Sequence, residues 1–390
     1  MKQFSLIITC LIFVVFYARA QSSPAKKTCV SDVELNNNYS KVSALQSAMD
    51  KHTAKDLPGL SLAVYSEEEG WWAGASGYAK LETKTPMTIC NLQYLQSVSK
   101  TYMAVAILQL NEEKKIVLDA PITKYLAAKH TRYVKDADKI TVRMLLNHTS
   151  GIAEYISHPK YTEYVILQPT KVFLVEDALQ LLKGEEPQFA PGSRYTYTNT
   201  NYLLLAMIGD VITGNHAKYI AQHIFQPLQM KHSYYHPEKM HMNHPELPDS
   251  YWDILSTGRP ANITPMQRAN VAPLKGDDGV VSTTTDAVKF LKGLVEGKLL
   301  KDSSMKLMQQ WVKNDEGKPV YGLGLIHFDL EGIIGYGHGG GGLGAGCVLV
   351  YVPSKKVYLF LATNTGVVVD GRGGIKANDA KNEVLAILLK

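Results

Sequence analysis

Strand-like stretches occupy the two ends of this 390-residue chain, and helix-like stretches fill its middle. Alternating and β-branched runs predict a hairpin at "GLSLAVYS" and "WWAGASGYA", and further strands between 320 and 364. Helical spacing dominates from 97 to about 230 and returns at 42–55, at 283–297 and in the C-terminal "DAKNEVLAILLK". The segment 231–275 shows no clear period, and we expect it to be a loop.

This order of elements predicts an α/β (α+β) fold with one antiparallel sheet built from both ends of the chain. We expect an α/β domain at 41–95 and 280–390, and a mainly helical domain at 96–279 inserted between its halves. Residues 21–40 are polar and are predicted to be a flexible segment. Ligand sites are common between such regions, so the cleft between the two is the expected site.

The first 20 residues have the pattern of a secretory signal peptide, with cleavage after Ala20. Its apolar stretch is too short for a comfortable membrane span, and no later segment approaches the length of one. We therefore expect an exported protein, periplasmic or secreted, with no transmembrane segment in the mature chain.

The cysteines give a weaker indication of export than the N-terminal pattern does. The cysteines beyond the signal peptide are odd in number and far apart, which excludes a disulfide scaffold; they are Cys29, Cys90 and Cys347. A single Cys29–Cys90 bridge is compatible with export, but the sequence does not establish it.

Charge and metal-ligand patterns exclude several function classes. The formal net charge is +5, and it falls to +3 when Lys2 and Arg19 leave with the signal peptide. Such a mild, dispersed charge indicates no nucleic-acid partner. No cofactor is expected. Four histidines lie close together in the sequence but without an H-E-x-x-H or other ligand pattern, so no metal site is expected there; they are His232, His236, His241 and His244.

The pattern Ser-x-x-Lys occurs four times, and its context separates the four copies; they are Ser23/Lys26, Ser97/Lys100, Ser157/Lys160 and Ser303/Lys306. Only Ser97 stands directly before a long apolar run, "YMAVAILQL". The other three lie in the N-terminal tail, in a loop and on an amphipathic surface helix. Ser97 and Lys100 are therefore the pair to consider for chemistry.

A helix that starts near Ser97 would place Lys100 one turn further on, on the same face. Burial would push the pKa of Lys100 down, and a neutral amine could accept the proton of the serine hydroxyl. In the alternative reading, Ser97 caps the helix and Lys100 is an exposed first-turn lysine.

Two distant stretches carry further candidate residues. In "PGSRYTYTNTNYLLLAMI", Tyr197 and Asn199 precede an apolar helix; in "GYGHGGGGLGAGCVLVYVP", His338 precedes four glycines. Clustered glycines allow a close backbone approach and leave N–H groups available to a ligand. Taken singly, Tyr197 could be a packed tyrosine, Asn199 a helix cap and the glycines a tight turn.

Taken together and in this order, Ser97-x-x-Lys100, Tyr197-x-Asn199 and His338-Gly339-Gly340 resemble the three motifs of the serine β-lactamase and penicillin-binding-protein superfamily. The closest resemblance is to its branch of class C β-lactamases, D-alanyl-D-alanine peptidases and family VIII esterases. The stretches "LLNHTSGI" and "GVVSTTTDAVKFLKG" agree with it. The resemblance runs from about residue 40 to the C-terminus, and it implies the same two-region fold with the active site in the cleft.

The resemblance implies a role for each motif residue. Ser97 would be the nucleophile, with Lys100 or a Tyr197 phenolate as the base. Asn199 would bind Lys100 or the substrate amide. The backbone N–H groups of Ser97 and Gly341 would form the oxyanion hole. His148 of "NHTSG" is interpreted as structural.

The third motif departs from the Lys-Thr-Gly or Lys-Ser-Gly of true β-lactamases. His338 replaces a permanently charged lysine with a side chain that is expected to be only partly charged near neutral pH. This change favours peptidase or esterase activity over efficient β-lactam hydrolysis.

The sequence therefore predicts an exported serine hydrolase that forms an acyl-enzyme at Ser97 and cleaves an amide or ester. The substrate would be a small molecule or a peptide, with peptidoglycan-derived D-amino-acid peptides among the candidates. Two alternatives stay open: an inactive homologue that binds or senses such peptides, and an acyltransferase that uses the same acyl-enzyme. The oligomeric state is left open.

Overall fold

A computed structural model describes residues 29–235, 244–272, 276–368 and 371–390. The predicted signal peptide and its cleavage site lie outside these residues. Within the described part of the chain, no helix combines the length and the apolar character needed to cross a membrane.

The strands are short at the edges and longer in the centre. In chain order they are β1 (Gly59–Ser66), β2 (Gly70–Lys80), β3 (Thr85–Pro86), β4 (Gln93–Tyr94), β5 (Ser233–Tyr235), β6 (Tyr251–Trp252), β7 (Ala261–Asn262), β8 (Val280–Ser282), β9 (Val312–Lys313), β10 (Pro319–Tyr321), β11 (Ile326–Leu330), β12 (Ile333–Gly341), β13 (Gly346–Val352) and β14 (Val357–Thr363).

The helices flank and separate these strands. In chain order they are α1 (Val42–Thr53), α2 (Ser99–Glu112), α3 (Ala128–Thr131), α4 (Val142–Leu146), α5 (Pro159–Leu167), α6 (Val175–Leu181), α7 (Asn199–Thr213), α8 (His216–Ile220), α9 (Thr264–Val271), α10 (Thr284–Val295), α11 (Asp302–Met308) and α12 (Arg372–Leu389).

A nine-stranded antiparallel sheet joins the two ends of the chain, in the order β3-β2-β1-β14-β13-β12-β11-β10-β9. Within the sheet, the two ends of the chain meet at the β1–β14 pair, in which Leu62 lies opposite Leu361. A second, small sheet has the strand order β4-β8-β5, and its strand β4 directly precedes the turn that leads into α2. The predicted antiparallel sheet from both chain ends, with helices around it, is confirmed.

Helices cover both faces of the central sheet. Successive side chains of a strand point to opposite faces, so each central strand contributes to two cores. Leu359 and Leu361 of β14 enter a core shared with α1 and α12. Tyr358 and Phe360 enter a second core, which contains α2, α7 and α10. Helix α2 is apolar on nearly all sides and is buried over almost its whole length, which places its first turn deep inside the molecule.

Two sequence expectations need correction. The segment 231–275 was expected to be a loop, but its described residues include β5, β6, β7 and the eight-residue α9. These elements are too short to produce a readable hydrophobic period. The described part of the segment predicted to be flexible, 29–40, is held by the Cys29–Cys90 disulfide and by a 2.7 Å backbone hydrogen bond from Asn36 to Trp71. Neither contact depends on apolar residues, so composition did not reveal them.

Candidate active site

Ser97 lies in a tight turn at the entrance to α2. A 3-10 turn over Gln96–Val98 connects β4 to the helix, and Gln96 adopts a left-handed backbone conformation with φ +48°. Non-glycine residues rarely adopt this conformation, which marks the turn as a constrained feature. Ser97 is partly exposed there, whereas Ser99 and Lys100 are fully buried.

The amine of Lys100 is surrounded by three acceptors. Its Nζ lies 3.0 Å from Oγ of Ser97, 2.7 Å from Oδ1 of Asn199 and 2.9 Å from the backbone oxygen of Asp277. The amide oxygen and the carbonyl oxygen can only accept hydrogen bonds. They therefore take two N–H groups of Lys100, and the remaining tetrahedral direction of the amine points at the Ser97 hydroxyl.

The pKa of Lys100 moves in the direction opposite to the one expected from the sequence. Burial lowers its pKa, but Tyr197 and Asp277 outweigh that effect, and the net direction is upward. The sequence allowed for burial of this lysine but did not show that buried acidic and phenolic groups surround it. In its resting form the side chain is an ammonium ion.

Tyr197 lies beside the same pair. The Nζ atom of Lys100 is 5.1 Å from the centre of the Tyr197 ring. Burial raises the pKa of Tyr197; the charge of Lys100 and hydrogen bonds with Lys100 and Ser97 lower it only in part. The resting side chain is therefore a neutral phenol, and the cation alone does not produce the phenolate considered from the sequence.

His148 packs against Tyr197 and hydrogen-bonds the residues around it. Its ring lies 4.3 Å from the Tyr197 ring, and its Nδ1 accepts hydrogen bonds from Thr198 N at 3.2 Å and from Asn201 Nδ2 at 3.1 Å. Burial is the main reason that its pKa lies well below the ordinary value. A neutral, buried histidine thus fixes the path of the chain around Tyr197.

His338 is a buried, neutral side chain on β12. Its Nδ1 donates to the Gly339 carbonyl at 2.6 Å, so its Nε2 accepts from the Tyr321 hydroxyl at 2.8 Å. Burial and the nearby Lys100 charge lower the pKa of His338 to about 3. The expectation of a partly charged side chain near neutral pH is wrong, because the sequence does not show how deeply this position is buried.

The glycines after His338 bring β12 into direct contact with the turn at Gln96–Val98. A Cβ atom on Gly340 would lie 2.4 Å from the Leu95 carbonyl oxygen, and one on Gly342 would lie 2.5 Å from the Gln96 amide. Only residues without side chains allow this approach. The backbones of Ser97 and Gly341, the two candidate oxyanion donors, therefore belong to touching segments.

The structure brings all the motif residues together in this one site. Asn199 is the first residue of α7, but its side chain does not cap that helix; it bridges Lys100 and Glu154. The other Ser-x-x-Lys pairs are not part of this site. Ser157/Lys160 and Ser303/Lys306 lie on the surface, and Ser23/Lys26 lies outside the described residues.

Sequence reasoning missed several acidic residues of the site. Glu154 binds Asn199, and Asp277 and Asp278 are 2% and 5% exposed next to Lys100. Burial raises the pKa of Asp277 to about 6 and that of Asp278 to about 8. The sequence signal that could have revealed the two aspartates is their position as an adjacent acid pair directly before "GVV", which leads into β8. Charged residues are costly so close to a buried strand.

The histidine-rich segment is described only in part. His236 and His241 lie outside the described residues. Among the residues that are described, no group of three or more His, Cys, Asp or Glu side chains could hold a metal ion.

Comparison with known proteins places this site in a family. Penicillin-binding protein 4* of Bacillus subtilis is 25% identical over 304 residues, which cover 73% of this chain and 64% of that protein. Protein flp of Staphylococcus aureus is 27% identical over 178 residues, covering 45% of this chain. The chain spans only about a third of the length of Protein flp and less than two thirds of penicillin-binding protein 4*.

Two solved structures have a similar fold. A D-stereospecific amidohydrolase from Streptomyces is 25% identical with a TM-score of 0.72, covering 87% of this chain and 97% of that one. The D-amino acid amidase of Ochrobactrum anthropi is 24% identical with a TM-score of 0.76, covering 89% and 98%. The family described as Beta-lactamase matches residues 44–381, which include every motif described above. The chain therefore belongs to the Beta-lactamase family, within the superfamily of serine β-lactamases and penicillin-binding proteins.

Proposed function

We propose that this chain is an exported serine hydrolase that forms an acyl-enzyme at Ser97 and cleaves an amide or ester bond. The observation that carries the proposal is the arrangement around Lys100. Two obligatory acceptors, Asn199 Oδ1 and the Asp277 carbonyl, leave only one direction of the amine, and it faces Ser97 Oγ at 3.0 Å. A base held in this way activates a serine hydroxyl.

In the acylation step, Oγ of Ser97 bonds to the substrate carbonyl carbon while its proton moves to the Lys100–Tyr197 pair. Both members are protonated at rest, so the reactive form is the one in which the pair has lost one proton. The backbone N–H groups of Ser97 and Gly341 would bind the oxyanion, and one such donor typically lowers the barrier by about 3 kcal/mol.

Collapse of the tetrahedral intermediate breaks the bond to the leaving amine or alcohol, which takes the proton held by the pair. Water then attacks the acyl-enzyme, with the same pair accepting its proton. The Ser97 ester bond breaks as the pair returns that proton to Ser97 Oγ, and the acid product leaves. This cycle needs no cofactor.

The third motif bears on the substrate. His338 supplies a neutral imidazole at the position where dedicated β-lactamases carry a cation, so it offers no charge to a substrate carboxylate. This supports D-amino-acid amide, peptide or ester substrates over efficient β-lactam hydrolysis. The similarity to a D-stereospecific amidohydrolase supports the same choice. Export is supported by the N-terminal sequence pattern and by a disulfide, which persists in oxidising compartments.

Intact-protein mass spectrometry tests the proposal. The mature protein is exposed to a fluorophosphonate and, separately, to a penicillin. We expect one fluorophosphonate adduct that is absent in Ser97→Ala. Ser157→Ala, in the exposed Ser-x-x-Lys pair, serves as the matched control and should be labelled like the wild type. A protein that takes up no label, or labels equally well as Ser97→Ala, is not a serine hydrolase acting through this site.

The penicillin arm narrows the substrate class. A stable penicillin adduct indicates a peptidase-like site. A fluorophosphonate adduct without a penicillin adduct leaves an esterase, an amidase or a fast β-lactamase, and following the penicillin concentration separates the last from the others.

A further inference from the structure

Glu154 joins the loop after α4 to the first residue of α7. One carboxylate oxygen, Oε2, accepts hydrogen bonds from the backbone N of Asn199 at 2.6 Å and from its side-chain Nδ2 at 3.0 Å. The other oxygen, Oε1, accepts from Ile156 N at 3.3 Å. None of the family motifs that identify the site includes this residue.

The bond to Nδ2 determines which way the Asn199 amide faces. An ionised carboxylate only accepts hydrogen bonds, so the NH₂ end of the amide must point at Glu154. The oxygen end must then point the other way, and it accepts from Lys100 Nζ at 2.7 Å. A reversed amide would place its NH₂ group against the Lys100 ammonium and lose both hydrogen bonds.

The orientation of Asn199 in turn orients Lys100. Its Oδ1 atom is one of the two obligatory acceptors that direct the amine at Ser97 Oγ; the Asp277 carbonyl is the other. Loss of either acceptor allows the amine to turn, and the base is then no longer aligned with the hydroxyl. Small misalignments of this kind are costly for catalysis.

We propose that Glu154 is a positioning residue, which aligns Lys100 with Ser97 by fixing the amide orientation of Asn199. This inference rests on the proposed function. Glu154 makes no described hydrogen bond to Ser97 or to the Lys100 amine; burial raises the pKa of its carboxyl, and the charge of Lys100 opposes that shift only in part.

The fold of this loop does not depend on Glu154 alone. Thr200 Oγ1 donates to the Ala153 carbonyl at 2.8 Å and accepts from Tyr155 N at 3.2 Å, so two further bonds attach the loop to α7. Substitution of Glu154 should therefore leave the loop in place. The catalytic effect can then be measured in a folded protein.

The test is a double-mutant cycle between Glu154 and Asn199, measured as the rate of fluorophosphonate labelling of Ser97. Glu154→Leu removes the acceptors and keeps the bulk, and we expect it to slow the saturating labelling rate by about 100-fold without weakening reagent binding. Asn199→Ala should slow it by a similar factor. The double variant should be no slower than Asn199→Ala by more than about twofold, since both changes interrupt the same chain.

Two variants complete the design. Glu154→Gln keeps one acceptor oxygen and should restore part of the rate lost in Glu154→Leu; it also replaces Glu154→Leu in the cycle if that variant does not fold. Asp177→Ala is the matched control, because Asp177 caps α6 through a 2.9 Å bond from Leu174 N and makes no described hydrogen bond to a motif residue. It should lower the Tm and leave the labelling rate unchanged.

The possible failures are distinguishable. A wild-type protein without label on Ser97 overturns the proposed function and this inference with it. If the wild type is labelled but the Glu154 variants react at the wild-type rate, or if the two single effects multiply in the double variant, the role of Glu154 is overturned while the Ser97 nucleophile stands.

Discussion

The Nζ atom of Lys100 lies 3.0 Å from the Oγ atom of Ser97, and its two other hydrogen bonds end on atoms that can only accept. With these two acceptors occupied, the third hydrogen-bonding direction of the amine can only point at the serine hydroxyl. This arrangement also explains why a lysine with no exposed surface is tolerated, since each of its N–H groups has a partner.

The Lys100 amine should be indispensable. Lys100→Met keeps an unbranched apolar side chain but removes the base, and we expect kcat/KM to fall by about 1,000-fold. Lys100→Arg should not rescue activity, because a planar guanidinium stays charged and presents no lone pair to Ser97. Steady-state kinetics on the best amide or ester substrate checks both variants. Near-wild-type activity in Lys100→Arg would show that positive charge, and not proton transfer, is what this position supplies.

Activity should rise with pH. The pKa values of Lys100 and Tyr197 both lie above their ordinary values, so the pair holds both protons at pH 7 and must lose one to react. The rate of Ser97 labelling should increase about tenfold per pH unit between pH 6 and pH 9. His338, whose pKa is about 3, should contribute no step in this range. A plateau reached below pH 7 would identify a base that titrates lower than either member of the pair.

The motifs and the central sheet could be predicted because their signals are local. Strands such as β14 alternate between two cores, and Ser97, Tyr197 and His338 stand in recognisable short patterns. Protonation states could not be predicted in the same way. The direction of the Lys100 pKa shift depends on Tyr197 and then on Asp277, which is 177 residues away in the chain and whose burial follows from tertiary packing.

The site residues that were missed have the same explanation. Glu154 reaches Asn199 across 45 residues, and nothing in "GIAEY" marks its carboxylate as facing inward. Helix α9 was missed because it has only eight residues, and its buried positions include the polar Thr264 and Gln267, so the sequence gives no clear hydrophobic period. Sequence patterns thus identified the candidate catalytic residues, whereas the residues that orient them and shift their pKa values required the folded structure.

Gly340 should tolerate no side chain. An alanine Cβ would lie 2.4 Å from the Leu95 carbonyl oxygen and would force β12 and the turn that holds Ser97 apart. We expect Gly340→Ala to cost about 1–3 kcal/mol of stability and to slow Ser97 labelling. Gly339→Ala is the steric control, since the nearest atom to its Cβ would be 3.9 Å away, and it should keep the wild-type Tm. Equal Tm values for the two variants would contradict the close packing of β12 on the turn.

The Cys29–Cys90 disulfide should stabilise the mature protein. It spans 61 residues, and constraint of the unfolded chain by a loop of this length contributes about 4 kcal/mol. A Cys29→Ser/Cys90→Ser variant should therefore lose a similar amount in chemical denaturation. Reducing agent should lower the stability of the wild type and leave that variant unchanged, which separates the bridge from Cys347. If reduction has no effect on the wild type, the N-terminal segment is held by its noncovalent contacts alone.

Asp278 should make the protein less stable as the pH rises. Burial raises its pKa to about 8, with Asp277 adding to the shift and the bond from Gly279 N opposing it. Between about pH 4 and pH 8, the unfolded chain carries an ionised carboxylate while the folded chain binds a proton there. Folding is coupled to proton uptake in this window, so the free energy of unfolding decreases as the pH increases.

Replacing Asp278 by asparagine should remove this dependence. The amide is already neutral, and its oxygen can still accept the 2.6 Å hydrogen bond from Gly279 N. We expect Asp278→Asn to be more stable than the wild type by about 5 kcal/mol at pH 8 and to differ little from it at pH 4. Guanidinium denaturation at both pH values measures the change, with Asp138→Asn, an exposed carboxylate, as the control. If the wild type and Asp278→Asn show parallel pH dependences, Asp278 is ionised in the folded protein. Its carboxylate would then add a negative charge beside Lys100 in spite of its burial.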